Sequence, residues 1–186
     1  MEEMEALEKN GTWELVSLPQ NKSVVGSKWV FIIKYNSDRS IARHKAKLVA
    51  QRLTQTHGID YDETFAPIAK LNSIHVLLSI ATNLDWELHQ LDIKNTFLNG
   101  DVEKEIYMKA PPGFEENGKV CRLKKSLYRL KQSPRAWFRR FSSTLNLLGY
   151  KQGHSDHMLF TKHSTNGLKT ILIVYVDDII ITSDNQ

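Results

Sequence analysis

The sequence predicts an α+β fold, and three local patterns support that class. Ser27–Tyr35 is a run rich in β-branched and aromatic residues, and with the polar turn cluster that follows it and the return strand Ile41–Ala50 it predicts a β-hairpin. A helix is predicted between Ser133, a favourable N-cap, and Gly149, a favourable stop. A second hairpin is predicted over residues 170–182, where two apolar runs flank a pair of aspartates. The elements do not alternate regularly between strand and helix, which argues against a simple parallel α/β sheet.

The remaining elements follow in chain order from similar signals. Residues 2–10 predict a short acidic helix that Gly11 ends. Asn72 is predicted to cap a helix whose apolar residues recur at helical spacing. A strand is predicted at Leu88–Ile93, and the Pro- and Gly-rich passage 111–113 cannot continue regular structure.

Composition describes an ordinary globular chain with a basic bias. Hydrophobic residues make up 41% and charged residues 25% of the sequence, and the formal net charge is +4. Basic residues concentrate in segments 34–52 and 118–154, and the second segment has no acidic residue. Two cationic segments beside separate acidic patches are typical of a nucleic-acid channel near a metal site, and solvated lysine faces are the alternative interpretation.

The cysteine count and the length of the apolar runs indicate where in the cell the protein would act. Cys121 is the single cysteine, so an internal disulfide is excluded and a reducing intracellular compartment is expected, with Cys121 as a packing residue. The longest apolar run, Ile171–Ile181, is too short to span a bilayer and contains two aspartates. No membrane role is therefore expected.

Two adjacent carboxylates, Asp177 and Asp178, are the strongest chemical signal. Aspartate is a favoured turn residue, so a purely structural turn is the alternative interpretation. The flanking strands are continuously apolar, however, which predicts a hairpin buried on both faces. Adjacent carboxylates in such a place repel each other and need a cation, for which Mg²⁺ is the simplest candidate.

A metal site would need a further carboxylate from another element, and Asp92 is the best candidate. It lies near the end of the predicted strand Leu88–Ile93, between two apolar residues. Three aspartates on two strands can hold two metal ions about 3.5–4 Å apart, the arrangement that stabilises in-line displacement at phosphorus. Asp85, Asp101 and Asp156 are competitors for the third position.

Longer motifs make the resemblance to a known family specific. Tyr175–Asp178 has the sequence Y-V-D-D, which matches the Y-x-D-D motif of reverse transcriptases. Further blocks, in the family's order and covering nearly the whole chain, resemble reverse transcriptases of copia-type retrotransposons: G-S-K-W-V-F (26–31), E-T-F-A-P (63–67), L-D-I-K-N-T-F-L-N-G (91–100), I-Y-M-K-A-P-P-G-F (106–114), K-S-L-Y-R-L-K-Q-S-P-R-A-W (125–137) and S-D-H-M-L-F (155–160).

This resemblance implies a right-hand polymerase, in which a palm sheet carries the metals and fingers close over the nucleotide. Residues 1–70 and 101–132 would form fingers. Residues 71–100 and 133–186 would form a palm, mainly an antiparallel sheet backed by helices and truncated after the Y-x-D-D motif. The thumb and RNase H domain of the family are expected to be missing.

The resemblance also assigns chemical roles. Asp92, Asp177 and Asp178 would bind two Mg²⁺ ions, with Mn²⁺ as an alternative, while the 3′-hydroxyl of a primer attacks the α-phosphate of a dNTP. Phe97 would be the aromatic wall that excludes a 2′-hydroxyl. The substrate contacts implied are Lys45, Lys47, Phe97 and Gln132 for the nucleotide, and Lys131, Ser133, Pro134 and Tyr175 for an RNA or DNA template with its primer. Such a protein would act inside the cell, in a cytoplasmic virus-like particle or in the nucleus.

Two arginines depart from the family pattern. Arg39 and Arg129 stand where the fingers turn and the L-Y-G-L-K-Q motif usually have glycine, which tolerates positive φ and close backbone approach. We hypothesise that restoring Arg129→Gly raises activity or stability. Two alternatives to an active polymerase stay open: a catalytically silent relic that at most binds nucleic acid, and a sheet-based RNA-binding module. The second needs exposed strand aromatics, whereas the strand aromatics here have apolar neighbours in the sequence.

Overall fold

The computed structural model of the chain describes residues 2–64, 66–116 and 118–184. These residues form three α-helices and eleven strands, so the predicted α+β class is confirmed. The helices are α1 (Glu2–Lys9), α2 (Leu71–Asn83) and α3 (Ser133–Leu147). The strands are β1 (Trp13–Ser17), β2 (Val24–Val25), β3 (Ser27–Tyr35), β4 (Ile41–Ala50), β5 (Glu87–Asp92), β6 (Tyr107–Met108), β7 (Lys119–Leu123), β8 (Lys151–Gln152), β9 (Leu159–His163), β10 (Lys169–Tyr175) and β11 (Asp178–Ser183).

The chain divides into two compact units, each built from two separate segments. The first unit comprises Met1–Thr64 and Phe97–Trp137, and the second comprises Phe65–Thr96 and Phe138–Gln186. Helix α3 therefore begins in the first unit and ends in the second. The assignment of chain segments to fingers and palm stays a prediction.

The first unit contains a four-stranded sheet in the order β1-β7-β6-β2 and a separate hairpin of β3 and β4. One apolar cluster fills the unit, and Cys121 lies in it at 0% exposure. Burial raises the pKa of its thiol to about 12, which confirms the predicted packing role because a thiol with that pKa is rarely a thiolate at neutral pH. The cluster also includes Leu7 of α1, Leu48 of β4 and Leu127 and Leu130 of the segment before α3.

The β3–β4 hairpin has the boundaries that the sequence predicts. Its register places Lys47 opposite Val30 and Lys45 opposite Ile32, so the cations of β4 share one face with aliphatic residues of β3. In the turn, Asn36 N–H donates to the Ser40 carbonyl (2.9 Å). The backbone of Arg39 is left-handed there, with φ +67°.

The second unit contains a five-stranded antiparallel sheet in the order β5-β11-β10-β9-β8. Strands β5 and β11 fall within one residue of the predicted strands, and the centre of β10 is fully buried at residues 172–174. Helix α2 buries Leu77 and Ala81. Its predicted cap was wrong: the N-cap is Lys70, which makes no side-chain capping bond, and Asn72 lies inside the first turn.

Helix α3 begins one residue before the sequence signals suggest. Ala136 N–H donates to the Gln132 carbonyl (3.0 Å), so Gln132 takes the cap position and Ser133 is already helical. Pro134 lies in the first turn, where a missing N–H costs nothing, and Gly149 follows the helix with φ +85°. Trp137 and Leu145 of its apolar stripe are buried.

Candidate active site

The turn between β10 and β11 consists of Val176 and Asp177, because Tyr175 and Asp178 are opposite each other in the register. Val176 has φ +60°. A positive φ at the first central position is the pattern of a type II′ turn, which normally has glycine there. A β-branched residue in that conformation is a backbone outlier, and such strain costs about 1–3 kcal/mol and is found mainly at functional sites.

Strand β5 brings the third aspartate to this turn, because Asp92 is the register partner of Asp178. Ile93 N–H donates to the Asp177 carbonyl (2.9 Å), so the bond lies beside the Asp92–Asp178 pair. The pair is therefore a non-hydrogen-bonded one, in which Cα atoms are about 4.5 Å apart and side chains share a face. Like charges directly opposite each other destabilise a sheet, so this arrangement is unfavourable unless a cation binds.

The sequence-based expectation of a hairpin buried on both faces was wrong at its tip. The centre of β10 is buried, but Asp92 and Asp177 are exposed and Asp178 is half-buried. The carboxylates are thus accessible to a substrate, and their repulsion comes from the direct pairing of β5 with β11. Gln90, which sequence reasoning missed, donates from Nε2 to Asp178 Oδ1 (3.0 Å).

The donor set at the tip suits a hard divalent cation, because all three side chains are carboxylates. Within residues 2–64, 66–116 and 118–184, no three Asp, Glu, His or Cys side chains already converge as metal ligands. It is therefore the backbone that brings the three aspartates close together, because Asp92 pairs with Asp178 and Asp177 is the next residue along the chain. The bond from Gln90 engages only Oδ1 of Asp178 and leaves Oδ2 for a cation.

Two of the three competing aspartates have other partners, and the third lies far from Asp92 along β5. Asp85 precedes β5 by two residues, at the opposite end of that strand from Asp92, roughly 20 Å away along an extended chain. Asp101 forms an ion pair with Lys125 (2.5 Å) within the first unit. Asp156 is buried and accepts backbone N–H bonds from Lys70 (2.9 Å) and Met158 (2.9 Å).

Lys47 and Phe97 both contact the ring of Tyr128 within the first unit. Lys47 Nζ lies 3.8 Å from the ring centroid of Tyr128, a cation–π distance. The Phe97 ring meets the same Tyr128 ring edge to face, with centroids 5.2 Å apart. Tyr128 is fixed in turn by its carbonyl, which accepts from Ala50 N–H (3.0 Å). Tyr128 thus links two residues predicted to contact a nucleotide.

Lys45 lies on the same face of β4 and has a different environment. Burial lowers the pKa of Lys45, and the charges of Lys47 and Arg43 lower it further, while Glu3 opposes the change. Glu3 of α1 is itself buried, and that burial raises the pKa of its carboxyl against the influence of the Leu48 backbone and of both lysines. Lys45 therefore interacts electrostatically with a buried carboxyl group of the same unit.

Residues 131–134, at the start of α3, include four of the predicted contacts. Lys131 Nζ donates to the Tyr61 hydroxyl (2.7 Å) and lies 4.3 Å from the centre of that ring. Gln132 has a buried Nε2 with no hydrogen-bond partner in the described part of the chain, which is an unusual state for a buried donor. Ser133 is buried and its hydroxyl donates to the Leu127 carbonyl (2.7 Å), a role inside the unit. Pro134 is half-buried.

Arg129, two residues before Lys131, has φ +65°. The left-handed conformation costs a non-glycine residue about 1–2 kcal/mol. Its side chain is exposed, while its carbonyl accepts from Gln55 Nε2 (3.0 Å). The two arginines that replace the expected glycines, Arg39 and Arg129, therefore both occupy conformations that favour glycine.

Comparison with known proteins decides the family. A family model described as reverse transcriptase (RNA-dependent DNA polymerase) matches residues 10–186. The chain belongs to the reverse transcriptase family. The predicted likeness to reverse transcriptases of copia-type retrotransposons is confirmed by these matches.

Individual relatives agree with that assignment. The Pol polyprotein from transposon TNT 1-94 of Nicotiana tabacum is 46% identical over 188 residues, which cover 100% of this chain and 14% of the relative. The Pol polyprotein from transposon RE1 of Arabidopsis thaliana is 42% identical over 180 residues, 95% of this chain and 12% of the relative. The Ty1-H Gag-Pol polyprotein of Saccharomyces cerevisiae is 30% identical over 167 residues, 87% of this chain and 8% of the relative. No solved structure matches.

The surface of this reverse transcriptase domain exposes two aromatic side chains of the β3–β4 hairpin. Phe31 and Tyr35 of β3 are 77% and 62% exposed, so the expectation that apolar neighbours cover the strand aromatics was wrong for this hairpin. The cause is that β3 and β4 form a two-stranded sheet whose outer part, including residues 31–35 of β3, is exposed on both faces. No helix in the described part of the chain is long and apolar enough to cross a membrane. Phe65, in the E-T-F-A-P block, lies outside the described residues.

Proposed function

We propose that this chain carries the polymerase chemistry of an RNA-directed DNA polymerase, in which a primer 3′-hydroxyl attacks the α-phosphate of a dNTP. The observation that carries the proposal is the register of β5 against β11, which places Asp92 directly opposite Asp178 beside the strained Val176–Asp177 turn. Two unfavourable features, like-charge pairing and backbone strain, coincide at one point of the sheet. Their coincidence supports a role in binding cations and phosphates.

The carboxylates would hold two Mg²⁺ ions from three positions, Asp92 on β5, Asp177 in the turn and Asp178 on β11. The bound ions would supply charge neutralisation for the attacking and leaving oxygens. Exposure of Asp92 and Asp177 leaves this end of the sheet open to a polyphosphate substrate. The chain spans only 8–14% of the length of the relatives cited above. The assignment of their activity to this chain is therefore itself part of the proposal.

Residues of the first unit would contact the nucleotide. Lys45 and Lys47 would neutralise charge on the triphosphate, and the position of Lys47 over Tyr128 fixes its ammonium while leaving the charge intact. Gln132 would reach the nucleotide by turning outward its side-chain amide, whose buried Nε2 has no hydrogen-bond partner to lose in the described part of the chain. Phe97 is held edge to face by Tyr128, which would suit a rigid wall beside the sugar.

Primer extension on an RNA template with Mg²⁺ tests the proposal. Asp177→Asn should reduce extension by at least about a hundredfold, because metal binding contributes several kcal/mol to such reactions. Asp85→Asn is a matched control, since it makes the same chemical change at an exposed turn residue with φ +53°, a conformation that asparagine tolerates. Equal extension by wild type and Asp177→Asn would refute the metal-binding role.

The alternative is a catalytically silent relic that binds nucleic acid. The observation that favours it is Arg129, whose left-handed backbone lies two residues before Lys131. If wild type and Asp85→Asn both fail to extend the primer, the relic becomes the better description. Recovery of extension in Arg129→Gly would then show that this substitution caused the silence.

A further inference from the structure

The side chain of Gln55 forms hydrogen bonds to the backbone on both sides of the turn that precedes α3. Gln55 is 6% exposed. Its Oε1 accepts from Lys131 N–H (2.8 Å), and its Nε2 donates to the carbonyls of Arg129 (3.0 Å) and Gln51 (3.3 Å). Both ends of one buried amide are therefore used to fix the backbone on either side of residue 130. This explains how the left-handed backbone of Arg129 is maintained, since strained conformations persist only where surrounding contacts over-determine them.

The ammonium group of Lys131 is fixed by the neighbouring loop. Its Nζ donates to the Tyr61 hydroxyl at 2.7 Å and approaches the Gln55 carbonyl at 3.4 Å. An ammonium has three N–H donors, so this arrangement uses two and leaves one for an external acceptor. The Tyr61 ring at 4.3 Å adds a cation–π contact, which restrains the side chain without neutralising its charge.

The loop that presents Tyr61 is held by several hydrogen bonds and ion pairs. The carboxylate of Asp60, 3% exposed, accepts from Thr56 N–H (2.7 Å), and Gly58 N–H donates to the Tyr61 carbonyl (2.8 Å). Lys104 binds the loop from outside, through Asp62 (2.7 Å) and the Gly58 carbonyl (3.0 Å). Arg135 of α3 forms an ion pair with Glu63 of the same loop. Tyr61 is thus a fixed support for Lys131.

We infer that Gln55 and Tyr61 are positioning residues that hold Lys131 ready to bind one backbone phosphate of the template–primer duplex. A free lysine loses side-chain entropy when it is immobilised on binding, and a lysine that is already restrained loses less. The inference rests on the proposed function only in taking Lys131 as a nucleic-acid contact. Neither Gln55 nor Tyr61 touches the phosphate itself.

Binding of a fluorescein-labelled RNA–DNA template–primer, measured by anisotropy without Mg²⁺ or dNTP, tests the inference. Lys131→Met should reduce the slope of log Kd against log salt concentration by about one, the signature of one lost phosphate contact. Tyr61→Phe and Gln55→Met should each weaken binding about two- to tenfold with little change in that slope. Tyr150→Phe is the matched control, because Tyr150 also lies beside a lysine, Lys162, at 5.5 Å from its ring centroid, within the second unit.

A double-mutant cycle separates positioning from general structural support. If Tyr61 acts through Lys131, Tyr61→Phe should have no further effect on binding in a Lys131→Met background. Equal weakening by Tyr61→Phe in both backgrounds, or no weakening in either, overturns the inference. Tyr61→Phe removes a single hydroxyl and keeps the ring, so the cycle stays informative even if Gln55→Met fails to fold. Because the assay needs no catalysis, a chain that fails primer extension can still pass or fail this test.

Discussion

Charged side chains are stabilised differently in the two units. In the second unit, Asp92 and Asp178 face each other across two strands, and Asp178 accepts a hydrogen bond from the side-chain amide of Gln90. In the first unit, Lys47 and Lys131 each lie against a tyrosine ring. The cationic surface can therefore fold without a ligand, whereas the carboxylate pair is unfavourable until a cation binds. This difference motivates the proposal that the carboxylate edge binds a cation, because its charge pairing lowers stability in the absence of one.

Asp156 differs from Asp92 and Asp178, because both oxygens of its carboxylate accept backbone hydrogen bonds within the second unit. Asp156→Asn should cost about 1–3 kcal/mol in the free energy of unfolding, since one amide oxygen cannot accept from both Lys70 and Met158. Chemical denaturation of both proteins measures the cost. An unchanged stability would contradict the view that partnered carboxylates stabilise this unit.

The effect of Asp156 should also depend on pH. Burial raises the pKa of its carboxyl, but hydrogen bonds from Ser73 and from the backbone of Lys70 and Met158, together with the charge of Lys70, outweigh it and lower the pKa below 3.8. A depressed pKa in the folded state means that the stabilisation is complete above the unfolded value and is lost as pH falls through the folded one. The stability difference between wild type and Asp156→Asn should therefore be constant above about pH 5 and shrink below about pH 4.

Val176→Gly tests whether the carboxylate turn is strained for function. Glycine adopts φ +60° at little cost, so the variant should gain about 1 kcal/mol in the free energy of unfolding while losing primer-extension activity, because the turn loosens around Asp177. Val176→Ala keeps a Cβ and should retain much of the strain. A less stable glycine variant would show that the turn carries no stored strain.

Arg129→Gly is expected to have the smallest effect and to act in the first unit. Relief of the left-handed backbone, offset by the greater freedom of glycine in the unfolded chain, should raise the free energy of unfolding by about 0.5–1 kcal/mol. Arg129→Ala removes the same side chain without relieving φ, so it should give no gain. Stabilisation by both variants alike would assign the effect to lost charge instead of backbone strain.

Local signals in the sequence were sufficient to predict the secondary-structure elements that clear turn or stop residues delimit. The β3–β4 hairpin and the turn at Asp177 were predicted closely, because turn residues and apolar runs define them within a few positions. The α2 cap was wrong because Asn72 is a good capping residue in isolation, whereas packing of Leu77 and Ala81 sets where this helix starts. Short strands such as β1 and β7 were missed, since only their pairing with each other defines them.

The candidate site was predicted in residue identity but not in geometry. Motifs identified Asp92 and Asp178, yet nothing local shows that they are register partners, because pairing between distant strands is a tertiary property. Tyr61, Tyr128 and Gln55 were missed for the same reason: each acts on a residue far away in the chain. The one usable signal was that Tyr128 lies within the motif that also contains Lys131.

Thermal or chemical unfolding of wild type and Asp178→Asn, each with and without Mg²⁺, tests most directly whether the carboxylate edge is built for a cation. Without metal, Asp178→Asn should be more stable than wild type by roughly 0.5 kcal/mol, because the opposed charges are removed. Mg²⁺ should stabilise wild type and leave the variant nearly unchanged, since binding to the folded state alone raises stability. A variant less stable than wild type in the absence of metal, or an equal Mg²⁺ effect on both proteins, would contradict the account.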